Sequence, residues 1–141
     1  MREATRAAIA TAVTAAWAGN TLPLIWNNQP DPKPSTAAWA RIGLTFGKGF
    51  AAAVGGDYDR LPGIVWLQVF IPDKKGTKTA NQVCDTIEAA ICKTRLTISG
   101  SGWTGEIRFD QVASGPTEGG ATEAYTQYNI SVGFLVHRFT I

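Results

Sequence analysis

A lysine-rich turn, KKGTKT at residues 74–79, follows a strand-like apolar segment and precedes an amphipathic one, which is where a phosphate-binding loop would occur. Such a loop has the pattern GxxxxGK[ST], because its two glycines let consecutive backbone amides surround the phosphates. In this chain Lys78 does not directly follow Gly76, and Pro72, which has no amide proton, lies within the segment that should supply donors. The spacing argues against nucleotide binding and predicts a solvent-exposed turn.

Two aspartates and one histidine are the other groups that could take part in site chemistry. Asp57 and Asp59 could chelate a hard divalent cation, since paired carboxylates on a loop suit such an ion. With no third carboxylate nearby, no metal site is predicted within one subunit; a site shared between subunits stays open, and so does a polar turn in which Arg60 pairs with either aspartate. His137 is the only histidine and lacks companion ligands or a poised nucleophile. It is therefore predicted to be a surface or interface side chain, and no catalytic residue or cofactor is predicted.

The composition gives weak support for binding to nucleic acid or membranes. The 13 Lys and Arg residues are nearly balanced by 11 Asp and Glu, which leaves a net charge of +2. A dedicated nucleic-acid reader usually carries a basic stripe. The five tryptophans could stack on bases or sugars, but they are scattered without interleaved basic residues. They are predicted to serve core packing and subunit contacts.

The two cysteines lie on one predicted helix. Cys84 and Cys92 are eight positions apart, which corresponds to about 12 Å along a helix axis. This separation is beyond the reach of a disulfide. Both are predicted to be buried free thiols.

The chain predicts one domain, residues 1–141, of the α+β class: a mostly antiparallel β-sheet with two α-helices packed on one face and long loops between strands. The first helix is amphipathic, and its polar residues interrupt the apolar run that a secretory signal would need. The helices are predicted at 2–18 and from 77–79 onward, where Thr79 and Gln82 have capping-box spacing. The strands are predicted at 22–26, 38–46, 64–71, 96–99 and 106–112, followed by a long last strand with a bulge near Arg138.

Several stretches, in chain order, form a recognisable pattern: AAIATAVTAAW, PLIWNNQPDPKPSTAAWARIGL, LPGIVWLQVFIPDKKGTKTANQVCDTIEAAI, GEIRFDQV and YTQYNISVGFLVHRF. Together they cover nearly the whole chain. The most telling part is a strand that ends in a proline, followed by a polar Gly/Thr turn and a helix. This pattern resembles the small tail terminator, or tail-completion, proteins of long-tailed bacteriophages and related phage-like particles.

The resemblance implies a structural virion protein with no enzymatic turnover. Such proteins form a ring, expected to be hexameric, at the head-proximal end of the tail tube, where the ring stops polymerisation and offers the attachment surface for the head. The implied partners are further copies of the chain, the major tail tube protein, a head–tail connector or neck protein and, transiently and non-specifically, the genome DNA in the lumen. No membrane is involved, and assembly would take place in the cytoplasm of the host bacterium.

Within that interpretation, the glycine-containing segments 47–63 and 113–124 are the expected contact loops, since they could become ordered on assembly. The candidate oligomer or lumen residues are Lys48, Asp57, Asp59, Arg60, Lys74, Lys75 and Lys78. Two alternatives stay open: another neck, connector or minor tail protein, and a small ligand-binding or enzymatic α+β domain.

Overall fold

The computed structural model describes residues 1–20, 22–29, 37–52, 58–72, 76–121 and 124–141. The elements within these ranges are, in chain order, α1 Arg2–Trp17, β1 Leu24–Trp26, β2 Trp39–Phe46, β3 Phe50–Ala51, β4 Tyr58–Pro72, α2 Lys78–Ile91, β5 Arg95–Gly100, β6 Trp103–Phe109, β7 Ser114–Ala121 and β8 Tyr125–Thr140. The predicted α+β class is confirmed.

Two long antiparallel strands form the centre of the sheet. β4 has 15 residues and β8 has 16, and they pair without a break from Tyr58 opposite Phe139 to Pro72 opposite Tyr125. The strand order is β1-β2-β4-β8-β6-β5, with β3 beside β4 and β7 beside β8. Because β1 pairs with β2 in parallel, the sheet is mixed, although its other pairings are antiparallel.

Both helices cover the same face of the sheet. Ile9, Val13 and Trp17 form the buried stripe of α1, as their spacing predicts, whereas Ala16, predicted for the same stripe, is exposed. The corresponding stripe of α2 includes Val83 and Ile87, and both stripes belong to one core cluster with β4 and β8. Burying each large aliphatic side chain stabilises the fold by about 1.5–3 kcal/mol, so this layer holds the helices to the sheet.

The predicted loops 47–63 and 113–124 are wrong over much of their length. β4 begins at Tyr58, and Ser114–Ala121 forms β7. The reason is tertiary: β8 supplies ladder partners to both segments, and such pairing overrides the low strand propensity of glycine and proline. Residues 53–57 and 122–123 are outside the described ranges.

Two local predictions also differ from the structure. Helix α2 begins at Lys78 with Thr77 as its N-cap, and no side-chain cap hydrogen bond forms, so the proposed capping box is not made. The last strand has no bulge near Arg138, because its register with β4 and β6 is continuous there. The register shifts of β8 occur against β7 instead.

Candidate assembly surface

The face of the sheet opposite the helices is not covered by any element within the described ranges. On β4 the buried residues Val65 and Leu67 point to the helices, whereas the alternate residue Ile64 is 46% exposed. We call this uncovered side the outer face. Its main residues are Trp39, Arg41, Thr45, Phe50, Tyr58, Arg60, Ile64, Trp66, Gln68, Phe70, Asn129, Leu135, His137 and Phe139.

Exposed apolar side chains are concentrated on this outer face. Phe50, Ile64 and Phe139 are 51%, 46% and 45% exposed, and their registers place all three on this side of the sheet. Scattered single apolar residues are normal on a soluble protein, but a group on one uncovered face indicates an interaction site.

One end of the outer face is an aromatic pair covered by a cation. The rings of Trp39 and Phe70 stack with centroids 4.3 Å apart. The guanidinium of Arg41 lies 5.5 Å from the Trp39 ring and 5.8 Å from the Phe70 ring, within range of a cation–π interaction. No carboxylate of the described residues forms an ion pair with Arg41.

The middle of the outer face contains a shallow cavity beside Trp66. The Trp66 ring lies flat over Gly43, where an added Cβ would be 2.2 Å from ring carbon Cζ2. Its Nε1 donates a hydrogen bond to Thr45 Oγ1 at 3.2 Å. Gln68 and Asn129 help to line the cavity, which measures about 320 Å³.

The other end of the outer face is built around His137, which is buried at 6% exposure. The sequence predicts a surface or interface side chain here; the surface position is therefore wrong, and the interface position stays a prediction. The side chain of Tyr58 covers His137, and Tyr58 Oη forms a hydrogen bond with His137 Nδ1. Arg60 Nε donates a hydrogen bond to the Tyr58 hydroxyl oxygen at 3.3 Å. The hydroxyl can therefore donate its own proton to Nδ1 of a neutral His137 imidazole. Burial is the main cause that lowers the pKa of His137, and the nearby Arg108 and Arg60 charges act in the same direction.

Carboxylates near this end are already paired. Asp59 accepts hydrogen bonds from Arg138, with the Nε contact at 3.1 Å. Glu106 lies 2.6 Å from Arg108 and 3.8 Å from Arg95. The hydrogen bond from Arg108 is the main cause that lowers the pKa of Glu106; burial opposes it, and the charges of Arg108 and Arg95 add to the lowering. The alternative that Arg60 pairs with Asp59 is therefore wrong within the described residues, since Arg138 takes that role.

The sequence-predicted contact residues that the structure describes do not form one site. Lys48 is exposed next to β3, and Gly47 N donates to Pro62 O at 2.8 Å. Lys78 begins α2, beyond the far end of β4. Pro62, which lies beside the Lys48 segment, is ten residues of extended strand away from the end of β4 at Pro72. This corresponds to roughly 33 Å. Asp59 and Arg60 lie on β4 near the Lys48 end. The remaining candidates lie outside the described residues: Asp57, Lys74 and Lys75.

A second surface, at the edge of the helix layer, is acidic. A concavity of about 410 Å³ is lined by Asp85, Glu88, Ala89, Cys92, Lys93 and Gln111. Next to it, Val112 is 59% exposed. Burial raises the pKa of Cys92 to about 11, and the charges of Glu88 and Asp110 add to that rise. The lining is acidic because it holds two carboxylates, Asp85 and Glu88, and one cation, Lys93. We call this surface the acidic corner.

Cys84 and Cys92 are buried free thiols, as the sequence predicts. Among the described residues, no group of three or more His, Cys, Asp or Glu side chains is arranged to hold a metal ion. No helix of the described chain is long and apolar enough to cross a membrane.

Sequence reasoning missed the contact between Tyr58 and His137 because it assigned Tyr58 to a loop. For the end of the outer face at Trp39, the sequence did contain a signal, because Trp39 and Arg41 fall on the same side of a predicted strand. What the sequence lacked was the register that brings Phe70 next to Trp39.

Comparisons with known proteins give information about the fold only. No family model and no curated protein matches the chain. A solved structure whose name carries no functional information matches with a TM-score of 0.68 and 22% identity, over 96% of this chain and 95% of that one. At that identity the likeness shows a shared fold along the whole chain.

Proposed function

We propose that this chain is a structural subunit of a ring, expected to be hexameric, that ends the tail tube of a long-tailed phage or phage-like particle. The ring stops tube polymerisation, offers the surface to which the head attaches, and lets the genome pass through its lumen. The chain acts by assembly and carries out no catalytic turnover. Its partners are copies of itself, the tube protein, and a neck or connector protein.

The observation that carries the proposal is the asymmetry of the sheet. The helices cover one face, while the other exposes Phe50, Ile64 and Phe139 and includes Arg41, which has no carboxylate partner among the described residues. A subunit that works within an assembly needs such a surface, since a partner covers it. The α+β architecture, with helices on one side, is also the one that the resemblance in the sequence implies.

A tube-capping assay tests the proposal. The major tail tube protein of the same particle is polymerised in vitro with increasing amounts of the purified chain. We expect the mean tube length to fall as the chain is added, and electron micrographs to show extra density at one end of each tube. The control is an equal amount of chain that has been heat-denatured.

Unchanged tube lengths and bare tube ends would contradict the proposal. Binding of the chain to an isolated portal or connector, without any effect on tube length, would favour the alternative of a neck or connector component. A chain that stays monomeric and binds neither structure would leave the assembly proposal without support.

A further inference from the structure

We propose that the outer face of one subunit docks on the acidic corner of the next copy of the chain, so that neighbouring subunits join through two different surfaces. This inference rests on the proposed function, because it names the surfaces by which the ring would form. The partner that covers the outer face is a second copy of the chain, because the charges of the two surfaces are complementary.

Among the described residues, the outer face carries more positive than negative charge, even when the Asp110 carboxylate is counted. That carboxylate lies 2.6 Å from where a Cβ on Gly133, the partner of Ile64, would be. Four arginines lie on this face by register: Arg41, Arg60, Arg95 and Arg108. Glu106 forms ion pairs with both Arg95 and Arg108. Within the described residues neither Arg41 nor Arg60 has a carboxylate partner. Two outer faces would therefore repel each other, which disfavours a two-fold dimer built on this face and favours a different surface as its partner.

The acidic corner has the complementary properties. Asp85 is exposed and Glu88 half-buried on the same flank of α2, with Lys93 as the compensating cation. Glu88 already accepts a hydrogen bond from Ala113 N at 3.0 Å, which fixes its position. The concavity is about 410 Å³, large enough to admit an arginine side chain, and the exposed Val112 offers apolar contact beside it.

The two surfaces are on different sides of the subunit, since the outer face is opposite the helix layer and Asp85 projects from that layer. When one copy uses its outer face, its acidic corner stays free for a third copy. Such contacts propagate from head to tail, and they close into a ring when the rotation between neighbours divides a full turn.

Two single variants test the contact. Ile64→Glu places a carboxylate in the middle of the outer face at a position that is 46% exposed. Asp85→Lys reverses a charge of the acidic corner at an exposed position of α2. The matched control is Thr14→Glu, an exposed position on α1 that lies on neither surface. Circular dichroism melting of all three checks that each variant folds.

Mass photometry and light scattering then report the assembly state. We expect each single variant to remain monomeric at concentrations where the wild type and Thr14→Glu assemble, with a loss of affinity of at least about tenfold. The Ile64→Glu chain keeps an intact corner and the Asp85→Lys chain keeps an intact face. An equimolar mixture should therefore form a heterodimer that does not grow further.

Assembly of both single variants like the wild type, or a mixture that stays monomeric, overturns this inference. A wild type that never assembles overturns both this inference and the proposed function. A wild type that forms rings through these surfaces but does not cap tubes overturns the proposed function alone.

Discussion

Replacing Tyr58 by phenylalanine isolates the contribution of one hydroxyl to the end of the sheet that holds His137. The ring of Tyr58 stacks on Phe139 with centroids 4.7 Å apart, and phenylalanine keeps that contact. Only the hydroxyl is lost, together with its hydrogen bonds to His137 and Arg60. The ladder that joins β4 to β8 is unaffected.

The expected cost follows from the environment of the two partners. A hydrogen bond of this kind stabilises a fold by about 0.5–1.5 kcal/mol, and a buried polar atom left without a partner costs about 1–3 kcal/mol. His137 is buried at 6% exposure, whereas Arg60 is half-buried and can turn to solvent. The variant should therefore lose about 1–3 kcal/mol, which for a chain of this size lowers Tm by roughly 3–10 °C.

Denaturant unfolding at pH 7.5, followed by circular dichroism, measures this loss. The matched control is Tyr128→Phe, since the described residues offer the Tyr128 hydroxyl no hydrogen-bond partner; its change should be within about 0.5 kcal/mol. Equal stability losses in the Tyr58 and Tyr128 variants would refute the role of the hydroxyl at His137.

Three further predictions concern the same core and its ionisable groups. Lowering the pH from 7.5 to 5.5 should reduce the free energy of unfolding, because burial lowers the pKa of His137 in the folded chain and the unfolded chain therefore binds the proton at a higher pH. In denaturant titrations across that pH range, His137→Gln should make the stability depend less on pH. Gly63→Ala should lower the free energy of unfolding by about 1–3 kcal/mol in the same assay, because the new Cβ would lie 2.3 Å from Phe134 Cζ. The control Gly49→Ala, whose new Cβ would have contacts of 3.4 Å, should lower it by less than about 1 kcal/mol. Cys92, whose pKa is raised to about 11, should react with iodoacetamide at pH 8 on the order of a hundredfold more slowly than free cysteine, and a rate equal to that of free cysteine would contradict its burial.

The helices and the central strands could be predicted from the sequence because their apolar periodicity matches their burial. Ile9, Val13 and Trp17 are buried as the helical spacing predicts. On β8 the alternate residues Ile130 and Val132 are buried in the same way. In these elements, local pattern and tertiary packing require the same residues to be apolar.

The start of β4 and the whole of β7 could not be predicted, because their strand structure depends on distant partners. Ser114–Ala121 contains glycine and proline and has weak strand propensity of its own. It is a strand because β8 offers it a free edge beyond the end of β6. The candidate surface was hidden for the same reason, since the register of β4 against β2 and β8 decides which aromatic and charged residues become neighbours.

Imaging of the assembled particle decides whether this chain forms the ring that ends the tail tube. Cryo-electron microscopy of tails carrying a labelled version of this chain would locate it along the tail axis. If the proposed function is correct, we expect a single hexameric ring between the last tube ring and the neck, with the outer face of each subunit covered by its neighbour. Label spread along the tube, found at the distal tip, or absent from purified tails would contradict it.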